Sequence, residues 1–223
     1  MLRLIPLVIV LVLAWTIAFA SVDTPLHVAA HHDDLPAARQ LVDAGADPGA
    51  ANDYGVTPAH LACANRGDAM VATLLAAGAD PNAATWNGET ILMACARTGA
   101  FGAVKALLDH GADVGATERR NSQTALMWAA AGGHDNVVQL LVESGARVTA
   151  RSAGGFTPLL FTARSGDVES ARVLLDAGAD PDERTTRHGN TLVVAAAGGH
   201  EALALYLLER GADPDAADAN GIT

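Results

Sequence analysis

The amino-acid sequence predicts an all-α repeat solenoid, in which short helix–turn–helix units joined by hairpin fingers stack through the whole chain. Two motifs that recur in step indicate this fold. The first motif opens with threonine, at Thr24, Thr57, Thr90, Thr124 and Thr157. The second motif reads Gly-Ala-Asp-Pro or a close variant and begins at Gly45, Gly78, Gly111, Gly145, Gly178 and Gly211.

The two motifs keep one register along the chain. The third residue of the second motif lies 23 residues after the opening threonine, so Asp213 places Asn190 in the threonine position of the sixth copy. The period is 33 residues, apart from one step of 34 residues between Thr90 and Thr124. We therefore expect a repeat domain over residues 21–223, with six repeats that start near residues 24, 57, 90, 124, 157 and 190 and a seventh cut off at residue 223.

The composition fits closely stacked small helices. Of the 223 residues, 50% are apolar but only 4% are aromatic, so alanine, leucine and valine must fill the interior. The formal net charge of −11 argues against non-specific binding to nucleic acid or anionic membranes, because both need an excess of basic residues. We expect no nucleic-acid partner, and a membrane contact only through the N-terminal segment.

Residues 1–20 differ from everything that follows. Arg3 precedes an apolar run from Leu4 to Ala20, and small residues at positions 18 and 20 precede Ser21, a layout typical of a secretory signal peptide. As a helix the run would rise roughly 25 Å, slightly less than the roughly 30 Å hydrocarbon core of a bilayer. We therefore favour a cleaved signal peptide over an uncleaved membrane anchor. The exported remainder is expected in the periplasm, with inner-membrane anchoring or secretion as alternatives.

Each recurring residue type has a physical role in its repeat. Thr24 can cap the first helix with its hydroxyl, and Pro25 fits the first helical position, where an N–H would lack a partner. The alanine pair at residues 29–30 allows close helix packing, while the leucine pair at residues 74–75 gives the second helix an apolar stripe. Gly45 can adopt the left-handed conformation that ends a helix.

This pattern resembles the ankyrin repeat, whose motif is TPLHxAA, then a Val/Leu-Leu stretch, then GADxN. The resemblance covers about residues 24–223 and implies a scaffold that binds proteins. The histidine of TPLH is kept only as His27 and His60. In the family it bonds to the backbone between repeats, so its replacement elsewhere implies a more apolar stack. The replacements are Met93, Met127, Leu160 and Val193.

Both ends of the repeat array depart from the family pattern. The first repeat has only residues 21–23 before Thr24 in place of a hairpin. At the other end, the chain stops at Thr223, in the threonine position of a seventh repeat, with no polar capping helix after it. We interpret the sequence as truncated or fragmentary.

The two cysteines are predicted to be free. Cys63 and Cys95 are not spaced as CxxC and have no adjacent histidine, so they indicate neither a zinc site nor a redox site. They occupy neighbouring positions in consecutive repeats. Since stacked helices lie roughly 8–10 Å apart, we expect their Cα atoms to be too distant for a disulfide.

The resemblance also points to a surface for a protein partner. Family partners dock on the concave face, formed by the hairpin fingers and the ends of the inner helices. The matching variable positions here include Tyr54, Trp86, Arg97, Arg120, Phe156, Arg164 and Arg187, and the fingers add Arg119, Arg151 and Arg184. Arginine and aromatic residues are enriched at interface hot spots, so we expect an acidic or polar epitope to bind there. In the competing interpretation the arginines only solubilise the fingers, and acidic neighbours cancel part of their charge; these are Glu118, Asp182 and Glu183.

Other candidate sites are weaker. His27 and His31 share a helix face and precede His32, as metal ligands would, but His27 has a structural role and the following residues fall in a turn. Residues 66–68 read Arg-Gly-Asp, an adhesion tripeptide, again in a turn. No catalytic motif is present, and we predict no enzyme activity, no metal site and no cofactor. The predicted function is an exported scaffold for protein–protein interaction; alternatives are a membrane-tethered structural adaptor and a secreted effector acting on a host protein.

Overall fold

The computed structural model describes residues 23–185 and 189–215; the predicted export segment and the start of a seventh repeat lie outside them. The described residues form twelve α-helices and one two-stranded hairpin. These are α1 (Pro25–His31), α2 (Leu35–Asp43), α3 (Pro58–Ala64), α4 (Asp68–Ala76), α5 (Ile91–Thr98), α6 (Phe101–Asp109), α7 (Ala125–Gly132), α8 (Asp135–Glu143), α9 (Pro158–Ser165), α10 (Val168–Asp176), β1 (Arg184–Thr185), β2 (Gly189–Asn190), α11 (Thr191–Ala197) and α12 (Glu201–Glu209).

The helices form six consecutive pairs that stack in two layers. The first helices pack on one another from α1 through α3, α5, α7 and α9 to α11, and the second helices pack likewise from α2 to α12. Strands β1 and β2 pair antiparallel, with Arg184 opposite Asn190 and Thr185 opposite Gly189. The predicted all-α repeat solenoid is confirmed. Within the described residues, no helix is long and apolar enough to cross a membrane.

Side-chain caps fix where the first helices begin. The Oγ1 atom of Thr90 accepts a hydrogen bond from the Met93 N–H at 3.3 Å, as expected for a threonine N-cap. In the sixth pair, Asn190 Oδ1 accepts from the Val193 N–H at 3.0 Å. Asparagine is as good an N-cap as threonine, so the register that places Asn190 in the threonine position holds in the structure.

The core consists of small residues in the first layer and leucines in the second. The recurrent alanines of the first helices have no exposed surface, which lets neighbouring helices approach closely; they are Ala30, Ala62, Ala96, Ala130 and Ala163. The recurrent leucines of the second helices are also fully buried; they are Leu74, Leu107, Leu141, Leu174 and Leu207. After the second helices, Gly45 and Gly78 have φ of +90° and +99°, the left-handed conformation that glycine adopts without strain.

The prediction of two free cysteines is wrong. Cys63 on α3 and Cys95 on α5 form a disulfide, and their Cα atoms are 4.6 Å apart. The prediction applied the distance between helix axes to Cα atoms. Because Cα atoms lie about 2.3 Å from the helix axis, facing Cα atoms on helices roughly 8–10 Å apart approach to roughly 3.5–5.5 Å. The disulfide therefore links the second and third repeats without separating their helices.

The two histidines of the recurrent motif join adjacent repeats. His60 Nδ1 accepts from the Thr57 N–H at 3.2 Å, and its Nε2 lies 3.2 Å from the Glu89 carbonyl oxygen, to which it donates as the neutral ring. His27 makes the equivalent contact with the Val56 carbonyl at 2.9 Å. In later repeats the position is apolar and equally buried, at Met93, Met127 and Leu160.

Candidate functional site

Five fingers connect the helix pairs, and we name each by the helices it joins. A polar side chain holds the tip of each finger in a tight turn. In the α2–α3 finger, Asn52 Oδ1 accepts from the N–H groups of Tyr54 and Val56, both at 3.0 Å. In the α8–α9 finger, Ser152 Oγ accepts from the Phe156 N–H at 3.0 Å. The finger tips are therefore ordered surfaces rather than loose loops.

The inserted residue of the 34-residue step is accommodated by Glu118. This residue occupies the place of Asn52 in the α6–α7 finger, and only 5% of it is exposed. Its carboxylate accepts hydrogen bonds from the N–H groups of Arg120 at 2.7 Å, Asn121 at 2.8 Å and Gln123 at 3.0 Å. A glutamate reaches further than an asparagine, so it can satisfy the additional backbone of the longer turn.

Neighbouring finger tips are hydrogen-bonded to each other and carry the most exposed aromatic residues. The Trp86 N–H donates to the Tyr54 carbonyl at 2.9 Å. Arg119 donates its backbone N–H to the Asn87 carbonyl at 2.8 Å and its Nη1 to the Trp86 carbonyl at 2.9 Å. Tyr54 and Trp86 are 64% and 69% exposed. Two of the predicted aromatic residues thus lie side by side at the tips, next to predicted Arg119.

Arg97 lies at the end of α5, on the surface that we call the inner face, formed by the exposed side of the first helices and the adjoining fingers. Its guanidinium is 3.3 Å from a Glu89 carboxylate oxygen and 5.3 Å from the centre of the Trp128 ring, within range of a cation–π interaction. Burial raises the pKa of Glu89, although the Arg97 charge opposes this effect. Arg97 is thus held between a finger and the next repeat.

Arg164 occupies the same position on α9 as Arg97 on α5. Its guanidinium carbon lies 5.7 Å from the centre of the Phe156 ring, and Phe156 packs on Phe161 with ring centres 5.5 Å apart. Among residues 23–185 and 189–215, no carboxylate forms an ion pair with Arg164. An exposed cation without an acidic partner is available for a partner's carboxylate.

The remaining predicted arginines are distributed along the fingers. Arg151 Nη1 donates to the Gly155 carbonyl at 3.1 Å and to the Arg184 carbonyl at 3.4 Å, which ties the last two fingers together. Arg184 and Arg120 are exposed, and Arg120 is positioned through its backbone by Glu118. Arg187 lies outside the described residues.

A recess in the inner face is the main feature that sequence reasoning missed. It has a volume of about 350 Å³ and lies beside Arg97, between α5 and α9. Its other lining residues are Gln123, Met127, Trp128, Ala131, Gly132 and Phe161. Trp128 Nε1 donates to Gln123 Oε1 at 2.9 Å, which fixes the indole that forms one wall. The recess is open because Ala131 and Gly132 stand where the neighbouring repeats have Arg97 or Arg164 and a hydroxyl residue.

The carboxylates near this face are engaged inside the protein. Glu118 binds three backbone N–H groups, and Glu183, 6% exposed, accepts a hydrogen bond from the Thr157 hydroxyl. Burial raises the pKa of Glu183, an effect that the Thr157 hydrogen bond opposes. Asp182, half-buried, accepts from the Asn190 side-chain amide at 3.0 Å. These oxygens are occupied, so they do not compete with a partner's carboxylates for the exposed arginines.

The other motifs have structural roles. In the Arg-Gly-Asp tripeptide, Arg66 Nη2 donates to the Gly99 carbonyl at 3.0 Å, and Asp68 accepts from the backbone N–H groups of Gly102 and Ala103 at 3.1 and 2.9 Å. Both charged side chains therefore bind the next repeat. Within the described stretches, no three His, Cys, Asp or Glu residues are grouped closely enough to hold a metal ion.

Comparison with known proteins gives consistent matches over nearly the whole chain. A family model described as ankyrin repeats (three copies) matches residues 8–85, 67–152 and 150–218, so the first match begins inside the apolar run. The crystal structure of the ankyrin repeat domain of Bcl-3, called a unique member of the IkappaB protein family, superposes with a TM-score of 0.74 at 30% identity. The two share 90% of this chain and 92% of that one. The human ASB11 ankyrin repeat domain gives a TM-score of 0.83 at 25% identity and 90% coverage of both chains. No curated protein matches the chain.

Proposed function

The chain belongs to the ankyrin-repeat family, a non-catalytic scaffold for protein–protein interaction, and we propose that it is an exported scaffold that binds another protein. The partner is proposed to dock on the concave face, made by the inner face and the hairpin fingers. The observation that carries this proposal is the separation of charge: arginines are exposed there while the nearby carboxylates are engaged internally.

The competing interpretation, in which acidic residues cancel the arginines, loses most of its basis. Glu118 and Glu183 are buried and hydrogen-bonded, so neither is free to screen a finger from solvent. Arg164 has no ion-pair partner among the described residues, and Trp86 exposes most of its indole. Arginine and tryptophan in such settings dominate the energy of many interfaces, which supports binding over simple solubilisation.

Two features support export. Residues 1–20 have the layout of a signal peptide, and Cys63 and Cys95 form a disulfide. Disulfides persist in oxidising compartments such as the bacterial periplasm and are rare in the reducing cytosol. Sequencing the N-terminus of the expressed protein tests this part of the proposal: cleavage after residue 20 is expected. Met1 at the terminus of a soluble product would contradict it and favour a further helix of the repeat array.

The binding proposal is tested by affinity capture followed by mass spectrometry. Replacing Arg120, Arg164 and Arg187 together with alanine should abolish capture of a partner. The matched control is Arg172→Ala, because Arg172 is an exposed arginine on α10 that pairs with Glu169 at 3.2 Å, away from the inner face. If the triple variant captures the same partner as the control, the arginine-bearing face is not the docking surface.

A further inference from the structure

We infer that the recess beside Trp128 is a specificity pocket for one large apolar side chain of an acidic, extended peptide segment of the partner. The inference rests on the proposed function and adds the chemistry of what is bound. It follows from three features: the lining of the recess, the fixed position of its walls and the charges at its two sides.

The recess is apolar and its walls are fixed. Met127 is fully buried at its base, while Trp128 and Phe161 come from adjacent repeats. The hydrogen bond from Trp128 to Gln123 and the Arg97 guanidinium over the indole both restrain the ring. Preformed apolar pockets with a few polar groups at the rim are the usual form of a binding site, because little ordering entropy is lost on binding.

Cations flank the recess on both sides. Ala131 lies at the position after the Thr124 motif that Arg97 and Arg164 occupy in the preceding and following repeats. The recess is therefore bordered along the stack by one arginine in each direction. A partner segment that inserts an apolar side chain at Ala131 places its neighbouring residues next to Arg97 and Arg164, where carboxylates would be favoured and lysines disfavoured.

The repeat spacing sets the length of the motif. At roughly 8–10 Å per stacked helix, two repeats separate Arg97 and Arg164 by roughly 16–20 Å at the backbone. An extended chain advances roughly 3.3–3.6 Å per residue, so about five or six residues cover that distance. The expected motif is one large apolar residue with a carboxylate two or three residues away on each side.

The experiment is selection of random twelve-residue peptides displayed on phage against the purified protein, followed by fluorescence anisotropy with the enriched peptides. Enriched sequences should contain the acidic–apolar–acidic motif. Ala131→Leu fills the recess and should weaken peptide binding at least tenfold. Ala64→Leu makes the same change at the equivalent exposed position of the second repeat, outside the recess, and should leave the affinity unchanged. Arg164→Glu should weaken acidic peptides and restore binding when the facing peptide residue is changed to lysine.

Other outcomes overturn the inference without touching the proposed function. These are enriched peptides that lack carboxylates, peptides that bind the Ala131→Leu variant as tightly as the unmodified protein, and the absence of any enriched peptide. If peptides lose affinity on replacement of Arg120 but not on filling the recess, the fingers bind the partner and the recess does not. The proposed function itself fails only if partner capture is indifferent to the arginines.

Discussion

Lowering the pH should destabilise the protein through His60, and replacing this residue with methionine should remove that part of the pH dependence. Burial lowers the pKa of His60 from 6.5 to about 4, with a smaller lowering by the charge of His27, while the hydrogen bond to the Glu89 carbonyl opposes both. The geometry explains the direction. Nδ1 already accepts from the Thr57 N–H, so a proton on Nδ1 would face a donor instead of an acceptor.

The magnitude follows from the difference between folded and unfolded states. Above pH 6.5 His60 is neutral in both states and contributes no pH dependence. As the pH falls from 6.5 towards 4, the unfolded chain binds the proton and the folded protein does not, so the free energy of unfolding decreases. At about 1.4 kcal/mol per pKa unit, the loss is about 2 kcal/mol at pH 5 and levels off near 3 kcal/mol below pH 4.

Urea unfolding at pH 7.5 and pH 5, for the unmodified protein and for His60→Met, measures this effect. Methionine fits the position because Met93 and Met127 occupy it in the next two repeats, and the Glu89 carbonyl keeps the Thr85 N–H as a donor at 2.9 Å. Raised carboxyl pKa values, such as that of Glu89, contribute to both proteins, so the difference between them isolates His60. An equal loss of stability in both proteins between these pH values would refute the reasoning.

Two further predictions concern the joints between repeats and the longest finger. Reducing the Cys63–Cys95 disulfide should lower the free energy of unfolding by about 3–4 kcal/mol, the loop-closure value for a separation of 32 residues; urea unfolding with and without dithiothreitol measures it, and two titratable thiols in the unreduced, unfolded protein would contradict the pairing. Glu118→Ala should cost about 2–3 kcal/mol because charge-assisted bonds to three N–H groups are lost. Faster amide hydrogen exchange at Arg120 and Asn121 checks this, and unchanged exchange would count against it.

The repeated motifs allowed the fold to be predicted in detail, because each repeat confirms the register of the others. A single Asn190 would not have been recognised as a helix cap, but the distance to Asp213 placed it in the threonine position, where it caps α11. The cysteine prediction failed for a geometric reason. Distances between helix axes do not give distances between facing residues, and the difference is largest where alanines such as Ala62 and Ala96 allow close approach.

The site was only partly predictable because its chemistry depends on which residues are exposed. Trp128 and Phe161 stand four residues after their repeat's threonine, a position that holds Ala94 in the third repeat and valine in the first and sixth. Two consecutive aromatic residues at this position, next to Ala131, are a signal that could have located the recess. The burial of Glu118 could not have been found in this way, because it depends on the path of a finger with one additional residue.

Net charge and local charge differ in this protein for a structural reason. Each finger needs a polar side chain to satisfy the N–H groups of its turn, and a carboxylate in that role, such as Glu118, is withdrawn from solvent. The arginines of the same fingers have no comparable role for their charge within the described residues, so the guanidinium of Arg164 stays exposed. A net charge of −11 therefore does not describe the surface that a partner meets, and an acidic protein can select an acidic ligand at this face.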